Sequence, residues 1–308
     1  MDQHPELVAE IKDLLARHNG IWLAHNYQNE EIQAHADLTG DSLGLSLAAA
    51  RTDADLILFC GVHFMAESAA ILSPHKRVIL PRPDAGCPMA DMIDARQLIA
   101  KKAELGPSAT VVTYVNSTAA VKAESDICCT SANAGRVADF VDTDEIFFVP
   151  DQNLAQWVAA HTHKRVTWWD GFCPAHHLLT AERVREMKER YPDAPVVVHP
   201  ECRPEVTALA DVVASTSGML DWVKTTDARR ALIGTEKGML WPLRQANPQI
   251  EYIVIDENAL VCEDMKKTTL ADVKHALEHP DDYTITVPEA IRVRAKTSLD
   301  RMLAIPRS

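Results

Sequence analysis

Three pairs of side chains in this 308-residue chain stand at the ends of apolar runs and could move protons or hold anions. They are His25 and Tyr27 in "GIWLAHNYQ", Tyr114 and Asn116 in "ATVVTYVNS", and His199 and Glu201 in "APVVVHPEC". Within each pair the members are two apart, the period that puts both side chains of a strand on one face. Seventeen residues after the first member of each pair comes a hydroxyl, at Ser42, Ser131 and Thr216, and 42 to 46 residues after each hydroxyl comes a cysteine, at Cys87, Cys173 and Cys262. Imidazole, phenol and carboxylate are the groups of general acid–base chemistry. Three thiolates suit a metal centre better than a disulfide, which would pair two and leave one.

Two centres fit three cysteines. Zinc would add a fourth nitrogen or sulfur ligand, for which "DGFCPAHH" offers His176 or His177. An iron–sulfur cluster normally has four cysteines, so three would leave one iron open to bind a substrate oxygen as a Lewis acid. No dense Cys-x-x-Cys pattern is present, which speaks against ferredoxins and zinc ribbons. The other four cysteines have plainer readings. Cys60 lies inside an apolar strand pattern, Cys128 and Cys129 are adjacent and so point to opposite faces, and Cys202 follows "HPE" closely enough to line a cavity. Ser42, Ser131 and Thr216 each precede a helical run, so each is also a candidate N-cap. The two roles are compatible, because free N–H groups at a helix start hold carboxylates and phosphates without a basic side chain.

The elements that must position these groups recur as well. A third strand-like run ends 19 residues after each hydroxyl, at Gly61, Pro150 and Thr235, and a fourth ends near each cysteine. The register repeats with offsets of 89 and 85 residues and no gap across this span. With helical patterns between the runs, each unit reads β-α-β-α-β-α-β, which predicts parallel sheets covered by helices. The expected architecture is an α/β fold of three pseudo-threefold-related repeats at 1–105, 106–192 and 193–308, with the active site at their common centre. An N-terminal helix precedes the first repeat, and helices from "TTLADVKHALEH" and "VPEAIRVRAKTSLDRML" follow the last cysteine.

Composition limits the partners. An apolar content of 47% supports a buried core, while a formal net charge of −13 disfavours nucleic acid and anionic membranes and leaves small molecules. No apolar run approaches the roughly 20 residues that span a bilayer. "MDQHPELVAEIKDLLARHNG" reads as an amphipathic start rather than a signal sequence, so a cytoplasmic chain with reduced thiols is expected. The glycosylation sequon at Asn116-Ser117-Thr118 carries no weight in that setting.

Through "AHNYQ", "GDSLGLS", "AGCPMADM", "TYVNSTAAVKAESDICCTSANA", "GFCPAH", "HPEC", "STSGM", "GTEKGML" and "CEDMKK", most of the chain resembles the quinolinate synthase family of NAD biosynthesis. The resemblance implies a [4Fe-4S] cluster on Cys87, Cys173 and Cys262 within three α/β domains. It also implies condensation of iminoaspartate with dihydroxyacetone phosphate to quinolinate, and a partner enzyme that supplies the iminoaspartate. His25, Ser42, Tyr114, Asn116, Ser131, His199, Glu201 and Thr216 match the family's substrate-contacting positions, and Tyr27 matches a tyrosine of its acid–base steps. Catalysis would rest on Tyr27, Tyr114, His199 and Glu201. The chain departs from many relatives at His177, where they carry an acidic residue, and it lacks the cysteine-rich C terminus of some members. His176 is then expected to line the cavity or support a ligand, and His177 to lie at the surface. The alternatives are another [4Fe-4S] hydro-lyase of the aconitase kind and a non-catalytic metal- or redox-sensing module.

Overall fold

The computed structural model describes residues 4–305; residues 1–3 and 306–308, the outer tips of the first and third expected repeats, lie outside the described residues. The chain forms two compact units, one of the residues up to Cys87 with Glu263–Val293, the other of Pro88–Cys262 with the residues from Arg294 on.

The first unit holds one parallel sheet of β1 (Gly20–His25), β2 (Leu38–Gly40), β3 (Leu56–Cys60) and β4 (Arg77–Ile79), in the order β2-β1-β3-β4. All five residues of β3 are buried, as expected of a strand covered on both faces. The amphipathic helix Pro5–Arg17 turns Ile11 and Leu15 inward, where they meet Leu270, Val273 and Leu277 of the helix Leu270–Glu278 over Trp22, Leu56 and Leu58. Each of these large side chains stabilises the unit by about 1.5–3 kcal/mol on burial.

The second unit holds two more sheets. One consists of β5 (Ala109–Tyr114), β6 (Ile127–Cys129), β7 (Glu145–Val149) and β8 (Arg165–Trp168), the other of β9 (Val196–Val198), β10 (Val212–Val213), β11 (Arg230–Gly234) and β12 (Glu251–Val254). Their orders, β6-β5-β7-β8 and β10-β9-β11-β12, repeat that of the first sheet, and every pairing is parallel. The expected α/β architecture of three parallel sheets with alternating helices is therefore present. In each sheet the first strand lies between the second and third, so its carboxyl end falls where the strand order reverses, the place at which open parallel sheets bind ligands.

A device absent from the sequence reading recurs three times. Asp37, Asp126 and Asp211 each accept a hydrogen bond at 2.8 Å from a backbone N–H 15 residues earlier, that of Trp22, Val111 and Val196. Each carboxylate also faces a lysine of the preceding helix, Lys12 at 3.0 Å, Lys102 at 2.9 Å and Lys188 at 3.5 Å. These ion pairs are open to water and contribute little, about 0–1 kcal/mol each. The backbone contact matters more, because it ties the first strand of each sheet to the turn that enters the second.

Two local expectations are corrected. β1 ends at His25, β5 at Tyr114 and β9 at Val198, so Tyr27, Asn116 and Glu201 lie in the turns beyond, and strand periodicity does not align the pairs. The N-cap roles go elsewhere. Asp41 caps the helix Ser42–Arg51 by accepting from Gly44 N–H at 2.6 Å, and Ser215 caps Thr216–Thr225 by accepting from Gly218 N–H at 3.2 Å. Ser131 lies in the turn ahead of the helix Ala134–Phe140, whose N-cap position is Asn133. All three hydroxyls are thereby released from capping duty.

The loop after β8 is built around a glycine with no space to spare. A Cβ on Gly171 would stand 2.5 Å from the Pro150 carbonyl oxygen, because the Gly171 oxygen accepts from Gln152 N–H at 2.8 Å and draws the two backbones together. Gly86, beside Cys87, has nothing within 4 Å of such an atom. Gly171→Ala is expected to lose about 1–3 kcal/mol of stability in urea unfolding, and Gly86→Ala to stay within about 0.5 kcal/mol of the parent.

Candidate active site

In the second unit the strand ends assemble a buried polar cluster around Glu201. One oxygen of its carboxylate lies 2.7 Å from His176 Nδ1 and 3.3 Å from His199 Nδ1. The two imidazoles stack, with centroids 4.7 Å apart. Thr235, just past β11, holds His176 Nε2 at 2.8 Å, and His176 Nδ1 also lies 3.1 Å from Cys173 Sγ. Asn153 Nδ2 donates to the Glu201 carbonyl at 3.0 Å and lies 3.1 Å from His177 Nδ1. His177 is thus half-buried rather than a simple surface residue, and it stacks on Phe172 at 4.3 Å between centroids.

A second acid backs this cluster. Asp151, wholly buried, caps the helix Gln152–Ala159 by accepting from Asn153 and Leu154 N–H at 2.7 and 2.9 Å. Burial and the Glu201 charge push its carboxyl well above the ordinary range, against the pull of the N–H groups of Leu154, Asn153 and Cys173. Burial would raise Glu201 as well, but His199 and His176 outweigh it and hold that carboxyl well below the ordinary range. For His199 itself burial prevails over the pull of Glu201, and the imidazole is lowered. The two carboxyls are driven in opposite directions, Asp151 up and Glu201 down, the arrangement by which neighbouring acids take different roles. Glu201 Oε1 has no hydrogen-bond partner among the described residues and is open to receive a proton.

Tyr114 is buried at the end of β5, where its carbonyl accepts from Ser117 Oγ at 3.0 Å. Lys122, also fully buried, donates to the Ser117 carbonyl and so braces the turn that carries Asn116. Ser131 is half-buried after β6, and Thr216 is buried in the first turn of its helix.

In the first unit His25 and Tyr27 form an edge-on ring pair with centroids 4.8 Å apart. His25 Nδ1 accepts from Tyr27 N–H at 3.1 Å, which leaves the ring proton on Nε2 as a donor. The third repeat copies this turn, with Glu201 N–H 3.3 Å from His199 Nδ1. The Tyr27 loop is bound to the "CEDMKK" segment. Lys266 Nζ donates to the Tyr27 carbonyl, and Asn29 Nδ2 donates to the carbonyls of Lys266 and Thr268, both at 3.0 Å.

The seven cysteines fall into two groups. Cys60, Cys128, Cys129 and Cys202 are buried, and burial pushes all four thiols up, Cys60 to about 12. Cys202 packs into apolar core with its thiol 3.4 Å from the Gly234 carbonyl instead of lining a cavity. Cys87, Cys173 and Cys262 are half-buried, and none of the seven is in a disulfide. The three half-buried thiols are the ones that recur in register, and thiolates are donors of zinc and iron–sulfur centres.

Each of their loops is fastened by an acid. Asp264 accepts from Gly86 N–H at 3.1 Å, Glu236 accepts from Cys262 N–H at 3.3 Å, and Asp151 feels the Cys173 N–H. Asp151 and Glu236 occupy equivalent places, one residue after the anchors Pro150 and Thr235. The repeat register, extended by one position past those anchors, reaches both.

A family model described as "Quinolinate synthetase A protein" matches residues 9–304. A quinolinate synthase of Geobacter sp. (strain M21) is 55% identical over 301 residues, covering 98% of each chain. That of Geobacter metallireducens is 56% identical over 298 residues, 97% of each chain. "Quinolinate synthase 1" of Methanosarcina acetivorans is 52% identical over 303 residues, 98% of this chain and 99% of that one.

The raised carboxyl of Asp151 has a stability signature. A group whose folded pKa lies above its unfolded value loses stability as pH rises from the unfolded value, 3.8, toward the folded one. An amide has no such dependence. In melts of the metal-free chain, the stability of Asp151→Asn relative to the parent is expected to climb steadily from about pH 5 to about pH 8. A difference that does not vary with pH would mean that Asp151 titrates normally.

Proposed function

The chain belongs to the quinolinate synthase family, and from that we propose that it condenses iminoaspartate with dihydroxyacetone phosphate to quinolinate, a step of NAD biosynthesis. The balance is one phosphate and two waters released for one carbon–carbon and one carbon–nitrogen bond formed. The observation that carries the cofactor reading is the division of the cysteines, with Cys87, Cys173 and Cys262 half-buried at equivalent strand ends while the other four are buried. These three would hold a [4Fe-4S] cluster. When bound, a cluster held by three cysteines would supply Lewis-acid chemistry for the loss of water.

The remaining work falls to the chain's own groups. Glu201, charged and with one oxygen open, takes a proton from the condensing substrates and returns it to a leaving hydroxyl. His176 and His199 keep it ionised and oriented. Tyr27 and Tyr114 are the phenols that pass protons to and from the substrates, with His199 as a further catalytic group. His25, Asn116, Ser131 and the helix-start hydroxyls Ser42 and Thr216, together with Tyr114, His199 and Glu201, would contact the carboxylates and the phosphate. Hydroxyls and backbone N–H groups would let a chain of net charge −13 bind anions without relying on basic side chains.

The repeats are proposed to run over 1–105, 106–192 and 193–308, each stretch containing one of the three sheets. Among the described residues no helix is long and apolar enough to cross a membrane. A cytoplasmic setting, where thiols stay reduced, suits the cluster. The partner in that setting is the enzyme that delivers iminoaspartate.

Two measurements test the reading. On anaerobic purification, Cys87→Ala, Cys173→Ala and Cys262→Ala are each expected to lose iron, sulfide and the brown absorption, while Cys60→Ala keeps them. Loss in Cys60→Ala alone would overturn the ligand assignment, and a colourless zinc-bearing parent would overturn the cluster. Glu201→Gln is expected to form quinolinate at least about 100-fold more slowly while keeping its cluster. Undiminished turnover would remove Glu201 from the chemistry, and dehydration of a hydroxy acid without any quinolinate would favour a hydro-lyase of the aconitase kind.

A further inference from the structure

Cys173, His176 and Glu201 offer a sulfur, a nitrogen and a carboxylate oxygen that all lie within 4.8 Å of one another. His176 Nδ1 faces both other donors, 3.1 Å from Cys173 Sγ and 2.7 Å from Glu201 Oε2. Its Nε2 is held at 2.8 Å by Thr235 Oγ1, the kind of outer contact that fixes the ring of a metal-binding histidine and its tautomer. When Nε2–H donates to that hydroxyl, the Nδ1 lone pair points at the other two donors. Glu201 Oε1 has no partner among the described residues, so this oxygen is available to a cation that takes the place of the proton between His176 Nδ1 and Glu201 Oε2.

Cysteine, histidine and carboxylate are the ligand types of zinc, and three protein ligands with one water make an ordinary open zinc site. Zinc–ligand distances of about 2.0–2.3 Å at tetrahedral angles put neighbouring donors about 3.4–3.6 Å apart. The contacts present are shorter than that by well under an ångström. A modest outward movement of the Cys173 loop and the Glu201 side chain would accommodate the ion.

We propose that, in the chain without its cluster, these three residues form a zinc site, and that zinc there and the iron–sulfur cluster exclude one another because both need the Cys173 thiolate. The exclusion rests on the proposed function, since it assumes that Cys173 is a cluster ligand; the zinc site itself does not. The consequence is that cluster assembly must precede or displace zinc, and that zinc inhibits maturation of the enzyme.

Among the described residues the other group of three side chains that could hold a metal ion is His275, Glu278 and His279, all exposed on one helix end. His275→Ala/His279→Ala removes it and provides the background for the test. The full-length, reduced, cluster-free chain carrying that double change would be titrated with zinc ion alone against a chromophoric chelator under anaerobic conditions. One zinc per chain is expected. Cys173→Ala and His176→Ala should weaken it more than about 100-fold, and Thr235→Val, which removes the outer hydroxyl from His176 Nε2, about 10–100-fold.

Cys262→Ala separates the two readings: it is expected to keep zinc and lose the cluster. Retention of both would sink the cluster assignment and leave the zinc site standing, whereas loss of zinc in Cys262→Ala would sink the zinc site. Should a variant fail to fold by circular dichroism, cobalt ion bound to the unsubstituted chain decides. A tetrahedral spectrum with the charge-transfer band of a single thiolate supports the site, and none or three overturns it. Finally, the zinc-loaded chain given ferrous iron and sulfide should incorporate little cluster until zinc is chelated. Uptake as fast as in the zinc-free chain would refute the exclusion.

Discussion

A carboxylate that is 2% exposed keeps its charge only if something nearby compensates for lost water, and the arrangement of the second unit follows from that requirement at Glu201. His176 and His199 are the compensation, stacked side by side against one oxygen. Each imidazole must in turn be held. Thr235 holds His176, and the turn between His199 and Glu201 holds the other ring through the backbone. Asn153 fastens the Glu201 main chain to the start of the helix that Asp151 caps, and burial beside the Glu201 charge pushes the Asp151 carboxyl up. Were any of these contacts absent, the cheapest response of the site would be to neutralise Glu201, and its value as a base would go with the charge.

The three sheets share a scaffold but not a chemistry. The same strand order recurs, and in each copy an aspartate grips the first strand from the turn ahead of the second. These contacts tie the first strand of each sheet to the turn that enters the second. Where the strands end, the copies diverge. The first position reads His25, Tyr114 and His199; the position two later reads Tyr27, Asn116 and Glu201; the second position after the third strand reads Val62, Asp151 and Glu236. Strand ends are free to differ because their side chains leave the sheet and no longer serve its packing. The cysteines do not diverge, which is why they stand out from the four that are simply core.

Much of this was legible in the linear chain. Apolar runs at constant spacing fall on the twelve strands in their order, and the alternation with helical patterns indicates parallel pairing, because a parallel neighbour requires a crossover. The threefold register singled out the half-buried cysteines before any burial was known. The resemblance to the quinolinate synthase family, visible in ordered segments such as "TYVNSTAAVKAESDICCTSANA", agrees with the family match over residues 9–304. What sequence periodicity misjudged was local. Strand patterns do not say at which residue a strand stops, since that depends on where neighbouring strands cease to pair, and so the functional pairs were placed one turn too early. The caps lie one residue from the candidate hydroxyls at Asp41 and Ser215 and two residues away at Asn133, because neighbouring Ser, Thr, Asp and Asn are equally good caps on paper.

Spacing within the chain determined the repeat, the parallel sheets and the identity of the recurring thiols, since those depend on order along the backbone. Tertiary structure alone decided the electrostatics. His176 and Glu201 are 25 positions apart and Asp151 and Glu201 are 50 apart, so nothing in their neighbours predicts that one histidine meets thiol, carboxylate and hydroxyl at once. Whether an acid is a charged base or a neutral support depends on its distance from other charges and from water. Those distances exist only once the sheets have packed.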